Sequence, residues 1–302
     1  MNRNKIKLTE KLEVSRIVHG HWRLNDWQLS NLELLKLTQE AIDLGVTTFD
    51  HADIYGNYKC EKLFGDALYL KPGLRKDIQI ISKCGIKLAS DKFPERKLKC
   101  YDYSAEYIIS SVENSLTNFR TDYVDLLLLH RPSPFFDPEE VAKAFSHLKQ
   151  SGKVLNFGVS NFNPLQFEML NSYVDEKLVT NQVEISPFCL EHFENGNIDF
   201  FLKGKIKPMA WSPMAGGNIL NPTGEKGQRV LKALLEVAGE LNDESVDKII
   251  YAWILKHPAN IIPIVGTGKI ARIKNAVEAL DIELTLEQWF KIYIAAKGEE
   301  LP

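Results

Sequence analysis

The chain has 302 residues, 44% of them hydrophobic and 25% charged, with a formal net charge of −3. That is the composition of an ordinary soluble globular protein with apolar residues enough for a substantial core. The small net charge and interspersed Lys/Arg and Asp/Glu give no basic face to expect on nucleic acid, and no apolar run nears the ~18 residues of a membrane span.

Met1-Asn2-Arg3-Asn4-Lys5 is followed by no apolar stretch, so no signal peptide is expected and the protein is placed in the cytoplasm. Cys60, Cys84, Cys100 and Cys189 show neither C-x-x-C spacing nor a disulfide framework, and are expected as free thiols. Cys84 reads as a small buried apolar residue. The oligomeric state is left open.

Taken in order, 5–8 and 11–14 flank Thr9-Glu10 as a β-hairpin, and 16–20 is the first strand of a strand–helix alternation. Ser30 caps a helix whose Leu34, Leu35, Ala41 and Ile42 face inward, ended by Gly45. A strand at 46–49 runs into Asp50, and a helix around 61–70 leads through Pro72-Gly73 to the strand Ile78-Gln79-Ile80-Ile81-Ser82-Lys83. Residues 86–103 are charged, hold one proline, and read as a loop over the mouth of the fold. Ser104 opens a helix with Ile108, Ile109, Val112, Leu116 and Phe119 at helical spacing. The near-unbroken leucines of 124–129 suit a parallel strand buried on both faces, and it ends at His130.

Asp137-Pro138-Glu139-Glu140 and Asn163-Pro164-Leu165-Gln166 are helix starts with a cap, a proline and a fitting third residue. Strands follow at 154–159, 178–183, 206–211 and 261–265, with helices at 197–202, 230–241, 246–255 and 270–280. Thr285 caps a last helix running to Ala296. Eight strand–helix units in alternation predict an α/β fold: a single (β/α)8 TIM barrel spanning 1–302, with an N-terminal β-hairpin and a C-terminal extra helix.

Chemistry-bearing residues cluster at strand ends. Phe49-Asp50-His51-Ala52-Asp53-Ile54-Tyr55-Gly56 follows one strand, Lys83 closes the next and His130 the one after. The carboxyl ends of parallel strands open on one side, so Asp50, Tyr55, Lys83 and His130 are expected to converge. A buried lysine is costly unless paired, and Asp50 is its expected partner.

With these motifs in view the sequence resembles the aldo-keto reductases, over nearly its whole length. Asp50, Tyr55, Lys83 and His130 match that family's catalytic tetrad in order and position, and Phe-Asp-His-Ala-Asp-Ile-Tyr-Gly resembles a bacterial subgroup of predicted oxidoreductases. Gly158-Val159-Ser160-Asn161-Phe162, Asn181-Gln182, Trp211-Ser212-Pro213 and Gly266-Thr267-Gly268-Lys269 complete the match. The resemblance implies NADPH-dependent reduction of an aldehyde or ketone to an alcohol, with a small carbonyl substrate and no metal. Tyr55 is then the proton donor, Lys83 its electrostatic partner held by Asp50, and His130 the group that orients the carbonyl oxygen.

The same resemblance implies that Ser160, Asn161 and Gln182 bond the nicotinamide carboxamide, that Trp211 stacks on the ring, and that Ser212 belongs to the same site. Gly266, Thr267, Gly268, Lys269 and Arg272 are expected at the phosphates, with the last two cations selecting NADPH over NADH. Trp22 and Ile54 are candidate pocket walls. Two features depart from the pattern: His51 and Asp53 replace other residues of many relatives, and Asn275-Ala276 stands where many carry a Glu-Asn pair for adenine. Two rival functions remain on the residues: a metal-dependent hydrolase with His51, Asp53 and His130 as ligands, or a cofactor-sensing module with little turnover.

Overall fold

The structure is a computed structural model that describes residues 3–243 and 245–301; Met1, Asn2, Glu244 and Pro302 lie outside the described residues. Among the described residues, eight parallel strands close into a barrel with each strand beside its neighbour in sequence. They are β1 Val18–Gly20, β2 Thr48–Asp50, β3 Gln79–Cys84, β4 Leu126–Leu129, β5 Phe157–Ser160, β6 Leu178–Glu184, β7 Met209–Trp211 and β8 Ile262–Val265. β8 pairs with β1 to complete the ring.

Helices α1 Asn31–Asp43, α2 Cys60–Leu68, α3 Ala105–Phe119, α4 Pro138–Gln150, α5 Pro164–Asn171 and α6 Asn197–Gly204 follow the first six strands. After β7 come α7 Glu225–Glu240 and α8 Val246–Lys256; α9 Ile270–Glu278 and the extra helix α10 Leu286–Lys297 follow β8. The helix starts are those the sequence marks: Ser30 with Glu33, Asn163 with Gln166 and Thr285 with Gln288 each form a capping box. A cap of this kind contributes on the order of 1 kcal/mol to its helix.

Side chains alternate across a strand, so each strand has an inward and an outward set. The inward set, Val18, Ile81, Leu126, Leu128, Met209, Ile262 and Ile264, packs with Leu12 and Val14 of the hairpin Lys5–Lys7/Glu13–Ser15. The hairpin thus plugs the amino end of the barrel. The outward set, including Phe49, Ile80, Leu127, Phe157, Val183 and Ala210, packs under the helices.

This parity also positions the mouth. Two residues beyond Ile81 is Lys83, two beyond Leu128 is His130, and two beyond Met209 is Trp211. All three therefore carry the inward direction to the open carboxyl end.

The 86–103 segment is more ordered than the expected loop. Ile86–Lys87 and Cys100–Tyr101 form a short antiparallel ladder, with a further bridge between Ser90 and Phe93. The segment is a β-strap, pinned by Lys87 on Asp102 at 3.1 Å. Alternation over so few residues is too short to read as strands. Strand starts also sit later than expected, at Val18, Thr48 and Met209, because the preceding residues belong to the turns that enter the barrel. Cys60, Cys84, Cys100 and Cys189 are free, and Cys84 is buried. No helix among the described residues is long and apolar enough to cross a membrane.

Candidate active site

At the mouth, Lys83 is 1% exposed and its ammonium is saturated. It donates to both carboxylate oxygens of Asp50 at 2.8 Å, to the His51 carbonyl at 2.8 Å, and to Tyr55 Oη at 3.3 Å. Burial pulls this lysine down, but Asp50 and Tyr55 outweigh it and the net shift is upward. Lys83 is therefore a fixed cation. Gln182 holds Asp50 from the other side, Nε2 donating to Oδ1 at 2.8 Å.

Tyr55 opens a tight turn, Tyr55–Tyr58, immediately after the strand-end segment, with Gly56, Asn57 and Tyr58 in left-handed backbone. Burial raises its phenol, Lys83 lowers it, Asp50 raises it, and the balance lies above the ordinary value. Desolvation wins, and Tyr55 keeps its proton. His130 lies edge-on to Tyr55, ring centroids 5.7 Å apart. Burial first, then Lys83 and Arg131, hold it neutral far below its usual pKa. Its Nδ1 is buried without a partner, which leaves Nε2 to meet a ligand.

Beside this cluster, Trp211 Nε1 donates to Asn161 Oδ1 at 3.0 Å, Asn161 Nδ2 donates to Ser160 Oγ at 2.8 Å, and Ser160 Oγ donates to the Gln182 carbonyl at 2.8 Å. The four residues expected around one ring are thus brought together. Asn161 and Ser212 both have left-handed backbone, at φ 63 and 54°. Such a conformation is uncommon for serine and persists where surroundings enforce it.

Gly266-Thr267-Gly268 leads from β8 into the N-terminus of α9, whose cap residue is Lys269. Lys269 N–H donates to Thr267 Oγ1 at 3.2 Å. A Cβ at Gly268 would come within 2.9 Å of the Trp27 ring, so only glycine lets the turn pack this closely. The Lys269 and Arg272 side chains are exposed. A helix start with two exposed cations beside it fits a phosphate group. Asn275 is committed elsewhere, its amide donating to Asp247 at 3.0 and 3.2 Å. Trp22 is 60% exposed and carries Arg23 over its ring, while Ile54 is half-buried next to Tyr55.

The proposed metal ligands do not converge. His51 follows inward-facing Asp50, so parity sends it outward against Phe64 and Phe119. Asp53 likewise leaves the barrel and accepts from Ser111 of α3 at 2.8 Å. Among the described residues no group of three His, Cys, Asp or Glu side chains is placed to hold a metal. Asp53 instead lines a cavity of about 630 Å³ beneath the strap, with Tyr58, Phe93 and Arg96, which includes none of Asp50, Tyr55, Lys83 or His130.

His51 joins a chain of histidines that sequence reasoning misses. His51 Nε2 lies 2.9 Å from His21 Nδ1, His21 Nε2 3.2 Å from His19 Nδ1, and His19 Nε2 2.8 Å from the Thr267 carbonyl. A carbonyl only accepts, so His19 Nε2 is the donor. Burial keeps all three rings neutral, so each Nε2 donates, His19 and His21 accept at Nδ1, and His51 Nδ1 is buried without a partner. The signal is present as His19-x-His21 on one face of a strand, but a single sequence does not say which face. Arg131 is missed as well, though it directly follows His130.

The sequence matches the model of the Aldo/keto reductase family over residues 16–297. It is 52% identical over 298 residues to the uncharacterized oxidoreductase YcsN of Bacillus subtilis (strain 168), covering 99% of each chain. It is 41% identical to a 6-dehydroglucose reductase of Agrobacterium fabrum (strain C58 / ATCC 33970), covering 98% of this chain and 99% of that one. Its fold matches a thermostable aldo-keto reductase solved with the inhibitor epalrestat, with a TM-score of 0.81 at 26% identity over 96% of this chain and 99% of that one. The chain belongs to the aldo/keto reductase family. It is an NAD(P)H-dependent oxidoreductase of that family.

Proposed function

We propose that this protein, residues 1–302 acting as one barrel unit in the cytoplasm, uses NADPH to reduce an aldehyde or ketone to the alcohol, without a metal. The observation that carries the reading is Lys83, buried and bonded at once to Asp50 and to Tyr55 Oη. A hydrolase built on His51, Asp53 and His130 as metal ligands would give this lysine no part. Such a lysine makes sense beside a phenol that must give up a proton.

The nicotinamide, when bound, supplies hydride to the carbonyl carbon. Ser160, Asn161, Gln182, Trp211 and Ser212 would hold its ring and carboxamide, and Gly266, Thr267, Gly268, Lys269 and Arg272 its phosphates. The rest is done by side chains of this chain. His130 Nε2 donates to the carbonyl oxygen and fixes its position. Tyr55 Oη transfers its proton to that oxygen as negative charge grows there. The raised phenol pKa suits this direction, since the proton is retained until a strongly basic oxygen is present. Lys83 then faces a phenolate 3.3 Å away and stabilises it, while Asp50 and Gln182 keep the ammonium from moving.

The test is to follow NADPH consumption by purified protein with aliphatic, aromatic and sugar aldehydes, alongside tryptophan fluorescence on cofactor titration. Turnover and quenching are expected. No consumption of NADPH or NADH with any carbonyl, together with an unmoved melting temperature on adding cofactor, would contradict the proposal.

A further inference from the structure

We propose that Arg131 forms an anion subsite at the mouth of this cleft, selecting carbonyl substrates that carry a carboxylate away from the reacting carbon. The inference rests on the carbonyl-reduction reading of the same site and goes on to name a substrate class.

Arg131 leaves β4 directly after His130, and its backbone is clamped. Its N–H donates to Tyr103 Oη at 3.1 Å, and the same hydroxyl donates to its carbonyl. Tyr103 is itself 4% exposed and seated against Gly85, where a Cβ would come within 2.0 Å of the tyrosine ring. Gly85, at φ +104°, is the residue that makes room. The arginine therefore starts from a rigid base.

Its guanidinium is different from those of the other sheltered arginines. Arg16 is committed to the Leu255 and Ile261 carbonyls. Arg75 is committed to Asp125 at 2.8 Å and to the Ile78 and Tyr123 carbonyls. The half-buried Arg131 side chain has no such acceptor among the described residues, and no carboxylate lies within the 4.0 Å of an ion pair. The guanidinium lies instead over the face of Trp211, Cζ 5.4 Å from the ring centroid.

The position is at the chemistry. Arg131 draws down Tyr55 and His130, and it also acts on Glu184 at the end of β6. Tyr55, His130 and Glu184 are among the titratable groups it acts on, and Glu184 lies beyond ion-pair distance. A half-buried guanidinium without an acceptor carries a desolvation cost that an incoming anion relieves. Its planar fork matches a carboxylate with two parallel N–H bonds. A substrate whose carbonyl oxygen lies at His130 and Tyr55 brings its other end to Arg131 and Trp211.

The experiment compares kcat/KM with NADPH for succinic semialdehyde against butanal, and for 4-carboxybenzaldehyde against benzaldehyde, in wild type, Arg131→Met and Arg131→Lys. Methionine keeps an apolar stem on Trp211 and removes the charge. The wild type is expected to favour the carboxylated member of each pair. Arg131→Met should lower the carboxylated-to-neutral ratio about tenfold or more, with Arg131→Lys in between, since bonds to charged groups are worth that much. The companion readout is the melting-temperature shift of the NADP+-loaded protein with 4-carboxybenzyl alcohol against benzyl alcohol, which needs no turnover. A wild type indifferent to the carboxylate in both readouts, or a ratio unchanged in Arg131→Met, overturns the subsite. If no carbonyl is reduced but the carboxylated alcohol stabilises the protein through Arg131, the carbonyl reading fails while the anion subsite stands.

Discussion

Gln182 and Asp50 meet across the barrel, the amide of one donating to the carboxylate of the other at 2.8 Å. They come from β6 and β2, which are not neighbours in the sheet, so the bond spans the interior directly above the packed core. It completes a fully buried ion pair whose cation is Lys83. Removing one partner of such a pair leaves an uncompensated charge, costing roughly 3–5 kcal/mol. Lys83→Met should therefore be destabilised by about that much. The double variant Asp50→Leu/Lys83→Met should recover much of the loss without recovering turnover. Urea denaturation of the three proteins checks this; a double variant no more stable than Lys83→Met would contradict it.

Asp53 makes the opposite contribution. Burial first, then Glu61, pushes its carboxyl up to about 8, and its Oδ1 has no partner. An unfolded aspartate titrates near about 3.9. Between the two values the folded state holds a proton that the unfolded state has lost, so stability falls as pH rises through this window. The slope is roughly 1.4 kcal/mol per pH unit. Asparagine copies the protonated form. Asp53→Asn should be more stable than wild type at pH 8 by a few kcal/mol, with the gain vanishing near pH 4. Equal stability at both pH values would refute the assignment.

The histidine chain predicts acid lability. His19 is held at about 4 by burial against the raising effect of its Thr267 bond, and His21, His51 and His130 lie well below the ordinary value. Folded, these rings are neutral; unfolded, they take up protons below about 6.5. Stability is thus present above that pH and is lost as pH falls toward the folded values. Each ring adds roughly 1.4 kcal/mol per pH unit to the slope. His21→Phe fits the aromatic surroundings of Trp27, Phe49 and Phe64 but leaves two buried imidazole nitrogens without partners. It should lose about 1–3 kcal/mol per orphaned group at pH 7 and show a shallower decline to pH 5 by about one proton. An unchanged slope would mean that His21 is not neutral in the fold.

The proposed determinants of cofactor choice lie at the start of α9. Lys269 and Arg272 stand three apart, both exposed, beside the Gly266–Gly268 turn. Lys269→Ala/Arg272→Ala should lower kcat/KM for NADPH about tenfold or more while changing that for NADH much less. Measuring both cofactors in both proteins decides it, and an unchanged ratio would place the discriminating cations elsewhere.

The barrel was legible because its periodicities are long and repeated, and because caps such as Asn163-Pro164 mark helix starts directly. Asp50, Lys83 and His130 were legible as strand-end residues, since parallel strands open on one side. What one sequence withheld was facing. His51 is adjacent to Asp50 and equally polar, yet one step along a strand turns it to the opposite side, where it serves the histidine chain and not the mouth. The strap pairing of Ile86–Lys87 with Cys100–Tyr101 is closed by partners more than ten residues apart, and local pattern does not report that. Arg131 stayed hidden for a third reason. Its interest lies in the acceptors it lacks, and those are countable only in three dimensions.

The central claim is that Tyr55 Oη delivers the proton. Tyr55→Phe removes only that oxygen, 3.3 Å from Lys83, and keeps the ring against His130. The most direct measurement is single-turnover oxidation of NADPH by the variant with an aldehyde the wild type reduces, beside the dissociation constant for NADPH from fluorescence quenching. Loss of a general acid is expected to slow the reaction about 10²–10⁴-fold, with cofactor affinity close to wild type. A Tyr55→Phe enzyme that oxidises NADPH at the wild-type rate would contradict the account.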